Sequence, residues 1–268
     1  RSNGSDEHKG SSVSAIPDIV LIPILFVLGS AFGSFLNVVI YRVPKKMSII
    51  APGSHCFSCK SPIKIKDNIP VLGYFILKGR CRNCKESFPS RYAFVELITA
   101  LLTICIYLIY GMGQAFFIYL ALTYLLIAIT FVDIDHFIIP NGFVMIGLVM
   151  LVVSLYFDWI TIKWDDAITG SFVFAGFLFG IGLIGQFILG KESIGFGDVK
   201  LGLVLGGFLG TEYSILALYL SFALSAVIIF IMMGGKLLQK DSKIPFGPYL
   251  AAGTLVALFT TTPYGGNY

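Results

Sequence analysis

The chain is built around apolar runs that are long enough to cross a bilayer. A helix needs about 20 apolar residues to span the hydrocarbon core, and eight stretches approach that length. They run over residues 17–41, 93–110, 114–132, 141–157, 167–189, 197–210, 214–233 and 246–262. Hydrophobic residues make up 56% of the chain and charged residues 13%, which is about half of what soluble domains carry. The pattern predicts an all-α polytopic membrane protein with about eight transmembrane helices.

The basic residues predict how these helices are oriented. Of the 19 Lys and Arg residues, 11 lie from Arg42 to Arg91, and loops rich in Lys and Arg stay in the cytoplasm. Alternation from there also places Lys191, Lys236, Lys240 and Lys243 inside. We therefore expect a flexible tail (1–16), a first transmembrane helix (17–42), a cytoplasmic domain (43–92), a transmembrane core (93–262) and a short tail (263–268).

Two acidic motifs fall at the predicted cytoplasmic ends of their helices. "FVDIDHFIIPN" (131–141) ends the third span, and "GFGDVKL" (195–201) begins the sixth. Asp133 and Asp135 are two residues apart and point about 200° apart on a helix, so only one of them faces Asp198. By the same geometry Lys200 does not neutralise Asp198, and we expect it to meet lipid headgroups or substrate. The alternative is that these acids only cap helix ends at the interface.

Two carboxylates that share one site support a definite chemistry. They cannot both ionise comfortably, so one holds a proton while the other stays charged. That is the requirement for aspartyl proteolysis, in which the charged partner activates a water and the protonated partner polarises the carbonyl. Gly195 and Gly197 let a peptide backbone approach Asp198 closely. The sequence therefore favours an aspartyl protease site.

The cytoplasmic segment carries paired cysteines. "CFSC" (56–59) and "CRNC" (81–84) are separated by 21 residues, a spacing typical of tetrahedral zinc sites. We therefore predict zinc at Cys56, Cys59, Cys81 and Cys84. A segment of about fifty residues has too small a core to fold securely alone, and a metal would compensate. The cytoplasm is reducing, so disulfides are the weaker alternative.

Several motifs together resemble the bacterial type IV prepilin peptidase family of intramembrane aspartyl proteases. "GSFLNVVIYRVP" (33–44) resembles the family's first span and its exit, and residues 56–100 resemble its cytoplasmic cysteine domain. "FVDIDHFIIPN" and "GFGDVKLG" resemble its two aspartate motifs. In the family the first catalytic acid lies seven residues before a proline, which corresponds to Asp133 and Pro140. The family often has Asp after that proline, whereas this chain has Asn141.

The resemblance implies a function in the bacterial inner membrane. Catalytic Asp133 and Asp198 would cut prepilins and pseudopilins after a Gly at the cytoplasmic face. The family then N-methylates the new N-terminal residue with S-adenosylmethionine, whose binding residues the sequence does not identify. We expect membrane lipid as a further partner and no nucleic acid. The alternatives are a protease without methyl transfer, and a transporter with a zinc-stabilised loop. A transporter predicts polar residues deep inside several spans, and these spans have very few.

Overall fold

The computed structural model describes residues 17–64, 67–190, 194–235 and 244–260. Its regular elements are helices: α1 (Asp18–Arg42), α2 (Leu72–Ile76), α3 (Arg91–Tyr110), α4 (Gln114–His136), α5 (Asn141–Tyr156), α6 (Trp164–Leu189), α7 (Phe196–Gly234) and α8 (Gly247–Thr260). The predicted tails and Lys191, Lys236, Lys240 and Lys243 lie outside the described residues.

The long helices are those of a membrane protein. Five of the described helices, α1, α3, α4, α6 and α7, are long and apolar enough to cross a bilayer, and α5 and α8 are shorter apolar helices. Each presents large apolar side chains outward; Phe187 of α6, for example, is 87% exposed. Such surfaces are stable against lipid rather than water. The predicted all-α membrane fold is confirmed.

The longest helix, α7, turns back on itself. As one straight helix its 39 residues would extend about 58 Å, about twice the hydrocarbon thickness. Gly210 interrupts it with a φ of 69°, a left-handed value that favours glycine. Before this turn Gly206 abuts Gly170 of α6; after it, the ring of Phe222 lies 5.8 Å from that of Phe177, two turns further along α6. The chain therefore reverses at Gly210, as the two predicted stretches 197–210 and 214–233 require.

Glycines also bring α1 and α3 together. A Cβ added to Gly29 would lie 2.8 Å from the Cα of Ala100, and one added to Gly33 would lie 2.7 Å from the Cα of Glu96. Helices in lipid associate through such close contact, because lipid offers no hydrophobic driving force between them. The pairing of α1 with α3 holds the two ends of segment 43–90 side by side, so the segment forms a small domain at one end of the bundle.

Candidate active site

Asp133 lies in the last turn of α4 and points into the protein. It is only 5% exposed, and its Oδ2 accepts a hydrogen bond of 2.9 Å from the backbone N–H of Gly247, the first residue of α8. The helix ends just beyond it, where Phe137 takes a left-handed conformation (φ 54°) and its N–H bonds the Asp133 carbonyl at 2.8 Å. Asp133 is thus fixed where α4 meets α8.

Asp135 points away from this position. Its carboxylate accepts two hydrogen bonds, of 2.5 and 2.7 Å, from one guanidinium nitrogen of Arg91, at the start of α3. The two acids of α4 therefore lie in different environments, as their spacing of two residues requires. One is buried beside a backbone N–H, and the other is a partly exposed ion pair.

Asp198 lies in the first turn of α7. It is 8% exposed, and its Oδ1 is buried without a hydrogen-bond partner among the described residues. Its carboxylate interacts electrostatically with that of Asp133. A buried carboxylate oxygen without a partner is costly, because folding has removed it from water. The N-terminus of α7 and the C-terminus of α4 thus bring two buried acids together.

Gly195 and Gly197 permit this close packing. An added Cβ at Gly195 would lie 3.1 Å from Asp198 Oδ2, and one at Gly197 would lie 3.2 Å from the Cβ of Ile139. The first glycine leaves room for the carboxylate itself. Gly197 leaves room for the segment that follows α4, so the two acidic motifs can pack against each other.

Lys200 connects the start of α7 to the start of α5. Its Nζ donates a hydrogen bond of 3.1 Å to Asn141 Oδ1 and lies 4.8 Å from the centre of the Phe196 ring. Asn141 is the residue that departs from the family pattern, and here it joins the start of α5 to the first turn of α7.

Gly247 is a site residue that sequence analysis did not identify. The only signal was its place in "FGP" (246–248), at the start of the last apolar stretch. A Cβ there would lie 2.8 Å from Asp133 Oδ2, so glycine is the residue that lets the α8 backbone reach the carboxylate.

The cysteine pairs form two similar loops. An isolated antiparallel bridge closes each of them, between His55 and Pro62 and between Arg80 and Ser87. Within the loops the N–H of Cys56 bonds the Ser61 carbonyl at 2.9 Å, and that of Cys81 bonds the Glu86 carbonyl at 2.8 Å. The backbone thus presents both cysteines of each pair from a tight turn.

The four thiols face one another at the spacing of a metal site. All four Sγ atoms lie within 4.8 Å of one another, with Cys56 and Cys84 at 3.7 Å and Cys59 and Cys81 at 3.9 Å. Tetrahedral zinc with bonds of about 2.3 Å separates its sulfur ligands by about 3.8 Å. Disulfide sulfurs lie about 2.05 Å apart, so these distances do not fit a disulfide. The four cysteines could hold a metal ion.

The electrostatics of the thiols also fit a cation. A hydrogen bond with the Ser61 hydroxyl, 2.9 Å away, lowers the pKa of Cys59 to about 6 and favours the thiolate. The pKa of Cys84 is instead raised to about 12: a backbone hydrogen bond from Glu86 opposes the rise, but desolvation and the other three thiols outweigh it. Neighbouring thiolates repel one another, and a bound cation would offset their charge.

The cysteine domain and the two buried acids lie at the same end of the protein. Arg91, where the domain joins α3, bonds Asp135 of α4, and the ring of Phe94 meets that of Phe131 at 6.3 Å. Asp135 is two residues from Asp133. The two acids therefore lie at the same face of the membrane as the cysteine domain.

Comparisons with known proteins agree with this architecture. Residues 27–110 match the bacterial peptidase A24 N-terminal domain, and residues 120–231 match the type IV leader peptidase family. The chain is 32% identical to the prepilin leader peptidase/N-methyltransferase of Pseudomonas putida, over 94% of this chain and 96% of that protein. It is 34% identical to the protein of the same name from Aeromonas hydrophila, over 88% and 89%.

A relative with a different name extends the comparison. The type 4 prepilin-like proteins leader peptide-processing enzyme of Escherichia coli O78:H11 is 32% identical, over 89% of this chain and 94% of that protein. No solved structure matches the chain significantly. The chain belongs to the type IV leader peptidase family, and with its membrane-length helices it is a multi-pass protein of the bacterial inner membrane.

Proposed function

We propose that Asp133 and Asp198 form the catalytic dyad of an intramembrane aspartyl endopeptidase, which removes the basic leader of type IV prepilins and pseudopilins. The observation that carries the proposal is the meeting of two buried carboxylates from separate helices, one with an unpartnered oxygen. Acids within membrane segments are costly and are usually retained for function. The names of the relatives, which are leader peptidases, support the same activity.

The dyad chemistry follows from two acids that share one proton. The ionised carboxylate takes a proton from water as the water attacks the scissile carbonyl, while the protonated carboxyl donates to the carbonyl oxygen. The N–H of Gly247 holds Asp133 in place for this step. Arg91 pairs with Asp135, and no cation pairs with Asp133 among the residues that the structure describes.

The substrate would meet the dyad at the cytoplasmic face. The segment from Arg42 to Arg91 contains 11 basic residues, which favours the cytoplasmic side, and the acids lie at the same end as this segment. A prepilin has a basic leader in the cytoplasm and an apolar helix in the bilayer, so its scissile bond, after a Gly, lies at this level. Gly195 and Gly197 would admit the substrate backbone beside Asp198.

After cleavage the enzyme would methylate the new N-terminus with S-adenosylmethionine. The relatives' names include N-methyltransferase. Zinc at the four cysteines would stabilise the cytoplasmic domain, because a small domain gains folding energy from a structural metal.

Mass spectrometry of the product tests both activities at once. The purified chain in detergent, given a type IV prepilin and S-adenosylmethionine, should release a pilin cut after the Gly and one methyl group heavier at its new N-terminus. Without the methyl donor, the pilin should be cut but unmethylated. An intact prepilin after incubation with folded protein would contradict the peptidase, and cleavage without mass gain would contradict the methyltransferase.

Gly247→Ala should slow leader cleavage by about a hundredfold, the cost of a misplaced catalytic group. The added Cβ would lie 2.8 Å from Asp133 Oδ2, so either the carboxylate or the start of α8 must move. The matched control is Gly176→Ala in α6, where a Cβ has no neighbour within 4 Å. Initial rates of prepilin cleavage compare the two variants. Equal rates would show that the contact between α8 and Asp133 is not needed for catalysis.

A further inference from the structure

The short helix α2 of the cysteine domain lies beside a membrane-spanning helix rather than beyond its end. The N–H of Val71, the residue before α2, donates a hydrogen bond of 2.7 Å to Glu96 Oε2 of α3. Glu96 follows Arg91, the first residue of α3, by five positions, which is about 7 Å along a helix. Interfacial helices lie about 5–10 Å into the boundary between headgroups and acyl chains. The start of α2 is therefore at the depth of that boundary.

One face of α2 exposes three large apolar side chains. Leu72, Phe75 and Ile76 are 58%, 66% and 64% exposed, and their spacing of three and four residues places them on the same face. On the other face Gly73 is buried against the domain, where an added Cβ would lie 2.6 Å from the Asp67 carbonyl oxygen. We call Leu72, Phe75 and Ile76 the apolar ridge. Such a ridge is unfavourable in water and stable against lipid.

A basic hollow of about 540 Å³ adjoins the apolar ridge. Four exposed basic side chains line the hollow: Lys78, Arg80, Arg82 and Lys85. Ile76 lines it too, so the ridge and the hollow form a continuous surface. Within the described part of the chain no acid lines the hollow, and of its four cations only Arg82 forms a salt bridge, with Asp67. The hollow therefore suits an anionic group.

The charge of the cysteine domain indicates which partner fits this surface. Residues 43–90 contain nine Lys and Arg residues against two acids, Asp67 and Glu86. Anionic lipids give the inner leaflet a negative potential that attracts such a segment. A prepilin leader is itself basic and would be repelled. A soluble acidic protein could pair with the cations, but it could not cover a ridge that lies at the depth of the acyl chains.

We propose that the apolar ridge and the basic hollow form one lipid-binding surface, through which the cysteine domain enters the membrane interface. The ridge inserts among the acyl chains, and the hollow binds the phosphate of an anionic phospholipid of the phosphatidylglycerol class. The two contacts lie at different depths of the same leaflet and so fix the level of the domain. The proposal does not depend on the peptidase or the methyltransferase activity.

Tryptophan fluorescence measures the depth of the ridge. Trp159→Phe and Trp164→Phe first remove both native tryptophans, and Phe75→Trp then places one reporter on the ridge. In bilayers of phosphatidylglycerol and phosphatidylcholine, lipids brominated on the upper acyl chain should quench this reporter strongly, and aqueous acrylamide should quench it weakly. Phe94→Trp in the same background is the matched control, because Phe94 is 55% exposed on α3 within the membrane span. Bromolipid quenching of Phe94→Trp without quenching of Phe75→Trp would overturn the proposal.

Native mass spectrometry of the full chain measures the affinity of the hollow. The chain in detergent should retain phosphatidylglycerol more tightly than phosphatidylcholine. Lys78→Gln combined with Lys85→Gln should weaken phosphatidylglycerol binding by about thirtyfold, the effect of two lysines at a lipid surface. Lys60→Gln combined with Lys64→Gln is the matched control, since it removes the same charge from the same domain outside the hollow, and should leave the affinity nearly unchanged. Protease resistance of residues 43–90 shows that both variants are folded.

Three results would contradict the lipid-binding surface. Equal losses in the two double variants would indicate a general effect of charge and no site at the hollow. Equal retention of phosphatidylcholine and phosphatidylglycerol by the unmodified chain would show that the hollow does not select an anionic lipid. Displacement of the lipid by a polyglutamate peptide, together with acrylamide quenching of Phe75→Trp, would assign the surface to an acidic protein instead.

Discussion

Asp133→Asn and Asp198→Asn should each reduce leader cleavage by at least about a thousandfold, because general acid–base groups contribute factors of about 10² to 10⁴ each and the two act as a unit. Either amide removes the exchangeable proton or the charge that the shared-proton chemistry needs. Both acids are buried and their carboxyl groups interact electrostatically, so neither can replace the other. Cleavage of a prepilin, followed by gel or mass spectrometry, measures the effect.

Asp135→Asn is the matched control for this experiment. It makes the same chemical change two residues away, on the same helix, to an acid that is paired with Arg91 and turned from the dyad. It should keep most of the cleavage activity, since it loses only a partly exposed ion pair, worth about 1 kcal/mol or less. If Asp135→Asn abolished cleavage while Asp133→Asn did not, the dyad would be Asp135 and Asp198 instead.

The second large effect concerns the four cysteines. Changing Cys56, Cys59, Cys81 or Cys84 to Ser should lower bound zinc from about one ion per chain to almost none, since a tetrahedral site needs all four ligands. The cysteine domain should then lose its structure, because its small core depends on the metal for folding energy. Elemental analysis of protein purified under reducing conditions without chelator measures the metal, and limited proteolysis within residues 43–90 measures the folding.

Cys105→Ser is the control for the metal experiment. Cys105 lies in α3, outside the group of four thiols that face one another. The Cys105→Ser variant should keep its zinc, and its cysteine domain should stay resistant to protease. An unmodified chain that contains no zinc under these conditions, or a Cys56→Ser variant that retains a full equivalent, would contradict the zinc site.

Much of the architecture could be predicted from sequence because it depends on local signals. The apolar stretches are long and uninterrupted, and the helices begin and end within a few residues of the predicted bounds. Even the reversal within α7 was visible, since "GTEY" (210–213) breaks the apolar run there. The two CxxC pairs predicted one cluster of sulfurs, because the two-residue spacing within each pair leaves few other ways to arrange the four thiols.

The resemblance to the family pointed to Asp133 through its spacing from Pro140, but the physical properties of the sequence alone did not distinguish the two acids of α4. Their spacing predicted that they diverge, but not which one turns inward. That choice depends on Arg91, which lies 44 residues before Asp135 in the chain, and on the N–H of Gly247, which lies 114 residues after Asp133. Contacts between such distant residues leave no periodic pattern in the sequence. The same holds for Glu96 and Val71, 25 residues apart, whose hydrogen bond connects α3 to the cysteine domain. The amino-acid sequence by itself determined the helices and the clustered thiols through hydrophobicity and spacing, whereas the packing of α3, α4 and α8 decided which carboxylate is buried beside Asp198.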